Sequence, residues 1–414
     1  MNEEMNTQKR VGSESGQKSK GLKKVALFGV AGLLIFVLGI GAGFVGREEL
    51  RRSIQQGSVE RDELPEDLSY DEVETVYDSL RTNFDGELSE DELLEGLKNG
   101  LVKASGDPYT EYLDEEEATS FEEGLSGSFT GIGAELGKDE QSIVIVAPLS
   151  GFPAEKAGLQ PRDVIAEING ENAYDISISE AVDKIRGEKG TTVELTIIRG
   201  ETERIEVEIT RDEITIPSVE YEVREDNIGY IKISRFGTDT TGLVNDAATE
   251  LMNQDVESII VDVRGNPGGL MDASVAVASL WVDSGEVIVD QRRSDESVET
   301  ERVSGNSVFG DIPTVVLINE GSASASEILA GALHDHGKAT LIGEKTYGKG
   351  SVQRLIEFGD GSELKVTVAR WFTPNGRNID EEGIEPDQKV ERTIEDFEAD
   401  RDPQLDAALK ELKN

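Results

Sequence analysis

The sequence predicts an α/β protein with substantial parallel strand pairing, joined to a smaller β-rich domain and preceded by a membrane-spanning helix. Three observations predict it. Short apolar runs alternate with helix-period stretches in the second half of the chain, which favours a sheet with helical crossovers. Between 117 and 212 short strands are broken by Gly and Pro turns. The stretch 25–46 carries no charge. At 414 residues the chain is too long for one ordinary domain.

Composition narrows the chemistry. There is no cysteine, which excludes disulfides, thiol nucleophiles and thiolate metal sites. The only two histidines, His334 and His336, leave almost no material for a histidine metal centre. No metal and no cofactor is expected. The formal net charge of −44 repels nucleic acid, so no nucleic-acid partner is expected.

The first 24 residues reverse that charge. Lys9, Arg10, Lys18, Lys20, Lys23 and Lys24 stand against Glu3, Glu4 and Glu14. As a helix the uncharged run 25–46 is roughly 33 Å long, enough to span a bilayer core. The basic flank keeps 1–24 in the cytoplasm and sends the remainder outside. The expectation is a single-pass cell-membrane protein with everything after Gly46 extracytoplasmic. A cleaved signal peptide is the competing reading, with Gly41, Ala42 and Gly43 as small residues near a cut.

Residues 47–116 read as a polar linker followed by two helices. Tyr70, Val73, Tyr77, Leu80 and Phe84 recur at spacings of three and four and share one face. Ser89 and Glu92 form a capping-box pattern before Leu93, Leu94, Leu97 and Leu101. These stripes either cover a core or make a homodimer contact, and the sequence does not choose.

The segment 117–212 holds strands at 143–147 and 193–199 and a helix at 177–186. With Ser150-Gly-Phe-Pro-Ala-Glu-Lys-Ala-Gly158 and Asp163-Val-Ile-Ala-Glu-Ile-Asn-Gly170 it resembles a PDZ domain in circularly permuted form. Gly131, Ile132, Gly133 and Ala134 stand where such a domain binds a terminal carboxylate. Glycines there free consecutive N–H groups to converge on an anion. A peptide then adds as a strand, with a pocket for its last side chain. An ordinary small β-domain with tight turns is the alternative.

The core, 213–395, shows strands at 229–234, 258–264, 314–319, 340–343 and 364–371 and helices at 241–253 and 273–282, and 396–414 follows as a helical tail. Three of its loops carry chemistry. Asp262-Val-Arg-Gly-Asn-Pro-Gly-Gly269 ends a strand with exposed backbone N–H groups, suited to an oxyanion or to a mere tight turn. Asn319-Glu-Gly-Ser-Ala-Ser-Ala-Ser-Glu327 runs from strand to helix, where the helix N-terminus favours developing negative charge. Spacing alone leaves open which of Ser322, Ser324 and Ser326 attacks and which are N-caps. Gly343-Glu-Lys-Thr-Tyr-Gly-Lys349-Gly-Ser-Val-Gln353 nearly matches a phosphate-binding loop. However, Gly350 replaces the magnesium-binding hydroxyl, and a strand follows instead of a helix. A lysine between glycines can instead be drawn inward, lose charge and act as a general base. His334 and His336 lie 10 and 12 residues beyond Ser324 on its own helix, too far along the axis to reach it.

The Ser-Ala-Ser-Ala-Ser-Glu run, the Tyr-Gly-Lys-Gly-Ser-Val-Gln run and the 25-residue separation of Ser324 from Lys349 resemble the carboxy-terminal processing peptidases, or tail-specific proteases. Asp107-Pro-Tyr-Thr-Glu-Tyr112, Thr373-Pro-Asn-Gly-Arg377 and Gly383-Ile-Glu-Pro-Asp387 match further motifs of that family. The resemblance implies a crotonase-like ββα-spiral peptidase core with a PDZ domain. It implies Ser324 as nucleophile, Lys349 as base, Gln353 as the group orienting the lysine, and N–H groups of Ala325 and of Gly268 or Gly269 as the oxyanion hole. It implies protein substrates with apolar C-termini. A silent PDZ scaffold and a crotonase-type acyl-CoA enzyme are the rival classes. The intact Ser324, Lys349 and Gln353 speak against the first, and the predicted export against the second.

Overall fold

The computed structural model describes residues 69–413 apart from Glu201 and Glu381. The expected basic tail, the expected span 25–46 and the linker up to 68 lie outside the described residues. Among the described residues no helix is long and apolar enough to cross a membrane.

The chain divides into two units, 1–88 and 89–414. In the first, α1 (Tyr70–Asn83) places Asp71 and Glu72 in its first turn and Arg81 in its last, complementing the helix dipole. Its apolar face, Tyr70, Val73, Tyr77 and Leu80, is exposed.

The second unit opens with α2 (Glu90–Lys103), closed at its start by the expected capping box: the Ser89 N–H donates to Glu92 and the Glu92 N–H to the Ser89 hydroxyl. Then come β1 (Glu111–Leu113), α3 (Glu115–Ser126) and β2 (Ser128–Gly131). A small domain follows: β3 (Ala134–Asp139), β4 (Ser142–Pro148), α4 (Pro153–Lys156), β5 (Val164–Ile168), β6 (Glu171–Asn172), α5 (Ile178–Ile185), β7 (Thr192–Arg199) and β8 (Glu203–Thr210). Its strands lie in the order β3-β4-β5-β7-β8, with β6 on β5. Ile143, Ile145, Ile165, Leu195 and Ile197 face inward and form a core of its own, over which α5 lays Ala181 and Ile185. The way out, β9 (Asp212–Thr215), pairs antiparallel with the way in, β2.

The larger core comprises β10 (Val219–Arg224), β11 (Ile228–Ile233), α6 (Thr240–Asn253), β12 (Ser258–Asp262), α7 (Met271–Ala278), β13 (Val287–Arg292), β14 (Val298–Arg302), β15 (Thr314–Ile318), α8 (Ala325–Asp335), β16 (Thr340–Gly343), β17 (Ser351–Glu357), β18 (Glu363–Phe372), β19 (Gln388–Lys389), α9 (Ile394–Glu398) and α10 (Pro403–Glu411). One sheet runs β10-β11-β12-β15-β16-β19, parallel from β11 onward with β10 antiparallel at its edge. Both faces are covered, which is why β12 and β15 are buried throughout and read as unbroken apolar runs. On one face lie α6, α7 and α8. On the other α10 packs Leu405, Ala408 and Leu409 over Ile260, Val315 and Ile342, so the expected helical tail helps to cover that face. A second, antiparallel sheet runs β1-β18-β13-β14, with β17 hairpinned on β18.

Candidate active site

Three adjacent parallel strands, β12, β15 and β16, end side by side, and the three loops singled out in the sequence begin there. Carboxyl ends of such strands are where α/β sites form.

The loop after β15 turns sharply into α8. Ser324 stands at that turn with φ 54° and ψ −113°, a backbone conformation that a side chain rarely adopts. Its neighbours are committed elsewhere. The Ser322 hydroxyl donates to the Val263 carbonyl (2.8 Å) and that of Ser326 to the Asn266 carbonyl (2.9 Å), and both residues are fully buried. Of the three candidates, only Ser324 lines the cavity described below.

The loop after β12 brings Gly268 (φ 104°) and Gly269 (φ 133°) against this turn. A Cβ on Gly268 would stand 2.8 Å from both the Ser324 Cβ and the Ala323 carbonyl, so only glycine allows the approach. Of the two glycines expected as alternative oxyanion donors, Gly268 has its N–H engaged in this structure. It donates to the Asn266 side-chain oxygen at 2.8 Å, because Asn266 folds back two residues along its own loop. No described residue accepts from the N–H of Gly269 or of Ala325, the other two expected donors.

The loop after β16 carries Lys349. Burial pushes this amine below the ordinary lysine range, Lys365 adds to the effect by like-charge repulsion, and Glu111 and Asp107 oppose it. Its Nζ lies 5.0 Å from the centre of the Tyr109 ring. It makes no hydrogen bond to Ser324 in this structure. Nor does Gln353 reach it: the Gln353 amide donates to Ser351 (2.7 Å) and Thr367 (3.3 Å). A bulge in the β17–β18 pairing between Val352 and Gln353 aims the glutamine that way.

Ser324, Lys349, Gln353, Gly268 and Gly269 nonetheless line one cavity of about 500 Å³. Phe121 and Leu125 of α3 and Leu270, Met271 and Ile328 give it apolar walls. A larger hollow of about 830 Å³, bordered by Lys98, Glu116 and Arg186, holds none of these residues. His334 and His336 bond to Asp387 and to the Val287 carbonyl, away from the cavity.

Two residues missed in the sequence reading matter here. Glu327, fully buried, accepts from the N–H groups of Ser324 (2.8 Å), Lys349 (3.0 Å) and Gly348 (2.8 Å) and from the Thr346 hydroxyl. Burial pushes its carboxyl up, against the pull of those four donors. Its signal was present, since Ser324-Ala-Ser-Glu327 has capping-box spacing. Tyr109, inside the quoted 107–112 motif, is the ring against the lysine.

In the small domain β3 is an edge strand, and α5 packs against it and against β5. No described residue accepts from the N–H of Ile132 or Gly133. Gly133 has φ 72°, and a Cβ there would meet Phe152 at 2.5 Å. Gly131, Ile132 and Gly133 are buried, and Ala134 begins β3.

A strained serine at a strand-to-helix turn and a lysine in the same cavity, with a separate small β-rich domain, fit the class of serine peptidases. Family models agree with that class: "Peptidase family S41" matches 227–390, "PDZ domain" 144–199, and "Activating protease CtpB N-terminal domain" 36–117. The "Probable CtpA-like serine protease" of Staphylococcus haemolyticus is 40% identical over 360 residues, 86% of this chain and 71% of that protein. The "Carboxy-terminal processing protease CtpA" of Bacillus subtilis is 40% identical over 325 residues, 78% of this chain and 70% of its own length. The chain belongs to peptidase family S41, among the carboxy-terminal processing proteases. A solved S41-type protein of Bacteroides fragilis shares the fold at 18% identity, with a TM-score of 0.53 over 76% of this chain and 90% of that one.

Proposed function

We propose that this serine peptidase is an endopeptidase that recognises protein C-termini through its PDZ domain and cuts with a Ser324–Lys349 dyad. One observation carries the reading. A serine in a strained turn at the head of α8 and a part-buried lysine of depressed basicity share a cavity with Gly269, whose backbone N–H no described residue accepts.

In the working state uncharged Lys349 swings from Tyr109 to Ser324, and Gln353 turns from Ser351 and Thr367 to hold it. The Ser324 oxygen attacks the scissile carbonyl while its proton passes to the lysine nitrogen. The N–H groups of Ala325 and Gly269 receive the oxyanion, each contributing about 3–4 kcal/mol in comparable sites. Lys349 then protonates the leaving amine. Water, giving its proton to Lys349, attacks the acyl carbonyl, and Lys349 returns that proton to the departing Ser324 oxygen, restoring the hydroxyl and the neutral amine.

An apolar-tailed substrate adds as a strand to the free edge of β3. Its carboxylate meets the N–H groups of Ile132 and Gly133 in the Gly131–Ala134 loop, and its last side chain enters beside α5. The test is one loosely folded reporter carrying either an apolar or a charged C-terminus. The apolar-tailed form is cut at least 10-fold faster, and Ser324→Ala and Lys349→Ala cut neither. Cleavage by purified Ser324→Ala would remove the nucleophile assignment, and equal cutting of both tails would remove tail recognition.

The separated dyad also fits a silent scaffold that binds tails without cleaving. Wild-type turnover of the reporter, lost in Ser324→Ala, excludes it. We further read 25–46 as a retained membrane anchor with the peptidase outside the cell, which protease shaving of intact cells tests. Exposed Leu94, Leu97 and Leu101 on α2 are the basis for a homodimer through the N-terminal helices. A monomeric mass by light scattering at micromolar concentration would rule it out. The core is read as a crotonase-like ββα spiral, and an experimental structure with other strand connections would overturn that.

A further inference from the structure

At the tip of the β17–β18 hairpin two glutamates, Glu357 and Glu363, stand directly opposite each other. Like charges in that position destabilise a hairpin. Glu122 on α3 adds a third carboxylate, so that one oxygen of each lies within 4.8 Å of the others. Glu363 is only 4% exposed, and its Oε2 is buried without any hydrogen-bond partner. A buried carboxylate oxygen in that state is costly unless something positive meets it. Lys365 of the hairpin pairs with Glu111, Lys98 of α2 with Glu95 and Asp360, and Arg186 after α5 with Glu123, so none of these three cations is paired with the cluster.

We propose that Glu122, Glu357 and Glu363 bind a divalent cation, calcium by preference. The donors are all hard carboxylate oxygens, with no imidazole or sulfur, which selects calcium-like ions over zinc or copper. Oxygens bound at about 2.3–2.6 Å stand up to about 5 Å apart across a calcium ion, which matches the spread here. Glu122 and Glu357 are exposed, leaving room for waters to complete a shell. The ion joins two walls of the peptidase cavity. Phe121 and Leu125 reach the cavity from α3, and Leu355 and Lys365 from the hairpin. A bound cation therefore fastens α3 to the hairpin beside the site, independently of which residues perform catalysis.

The test uses the full chain as Ser324→Ala, to prevent self-digestion, stripped with chelator and titrated with calcium chloride by calorimetry at physiological salt. The expected result is one saturable site with Kd about 10⁻⁴–10⁻³ M, the range of extracellular calcium modules. Calcium also slows hydrogen exchange in 115–126 and 351–366. Glu122→Gln and Glu357→Gln, both at exposed positions, each weaken binding at least 10-fold and remove that protection. Glu363→Gln abolishes the site, and its melting temperature no longer responds to calcium. No saturable binding up to about 10 mM, or binding retained in the Glu122→Gln and Glu357→Gln variants, overturns the proposal.

Discussion

The backbone N–H groups of Ser324 and Lys349 donate to one and the same oxygen, Oε2 of Glu327, at 2.8 and 3.0 Å. The turn that presents the serine and the loop that presents the lysine are thus pinned by a single buried carboxylate. The other oxygen holds Gly348 and Thr346. Replacing Glu327 by Gln leaves the shape but turns one acceptor into a donor facing donors. The expected outcome is a folded protein whose kcat falls about 10²-fold with little change in KM, since misplacement by a fraction of an ångström acts on the reacting geometry. Glu327→Ala, which strands four buried donors, lowers stability by about 3–5 kcal/mol as well. Steady-state kinetics and urea melts separate the two effects.

The lysine's setting predicts the acid side of the pH profile. With Lys349 as the base of the proposed dyad, activity needs the neutral amine, so kcat/KM is expected to rise with pH through the Lys349 pKa. Burial lowers that pKa most, and the Lys365 charge lowers it further. Lys365→Met removes a repulsion, raises the Lys349 pKa, and moves the rising limb toward alkaline pH. A limb that stays in place or moves toward acid would show that Lys365 does not act on Lys349. The linkage to stability has the same origin. The folded state sheds its Lys349 proton at lower pH than the unfolded chain. Stability therefore climbs as pH rises between the two values, and Lys349→Met flattens that climb.

The paired glycines of the 262–269 loop give a prediction with an internal control. Gly268 and Gly265 both have positive φ, at 104° and 67°. Gly268 abuts Ser324, whereas a Cβ on Gly265 would meet nothing within 4 Å. Gly265→Ala is expected to cost about 1 kcal/mol from backbone strain alone and to leave kcat unchanged. Gly268→Ala must push Ser324 or the Ala323 carbonyl away. It is expected to cost about 3 kcal/mol or more and to lower kcat at least 10-fold. Equal kinetic effects in the two variants would mean that the approach of Gly268 to the serine is unimportant.

These contrasts mark where the sequence could be read and where it could not. The strands ending at Asp262, Ile318 and Gly343 were visible because a sheet buried on both faces leaves long apolar runs, and the loops beyond them carry recognisable motifs. The β10 and β14 strands were missed because Val219-Glu-Tyr-Glu-Val-Arg224 and Val298-Glu-Thr-Glu-Arg302 are largely exposed and half of their residues or more are charged. Which glycine N–H stays free depended on the Asn266 side chain folding back, a loop geometry that no spacing encodes. Glu327 stood in the quoted motif, but its reach to the Lys349 loop spans 22 residues and exists only once β15 and β16 are paired.

The C-terminal helix, read from sequence as a tail, leads to the last prediction. Arg264, at the start of the glycine loop, donates to Asp262 and also to Asp402, the N-cap of α10 (2.8 and 2.9 Å), and to Gln404 (2.9 Å). Asp402 in turn caps Leu405 at 3.0 Å. The cluster is largely buried, with the Arg264 side chain 12% exposed and that of Asp262 5%. Removing the guanidinium strands two carboxylates beside the sheet, so Arg264→Ala is expected to lower stability by about 3–5 kcal/mol. The pH dependence fixes the sign. Burial alone would raise the Asp402 carboxyl, but hydrogen bonds from Arg264 and Leu405 outweigh it and hold the carboxyl below its ordinary value. Its contribution is therefore full above the unfolded value of about 3.9 and is lost as pH falls through the folded one. The wild type should lose that increment of stability on acidification below about pH 4, and Arg264→Ala should lose less of it. If urea melts gave the two proteins the same acid slope, the arginine would not be what ties α10 to the catalytic sheet.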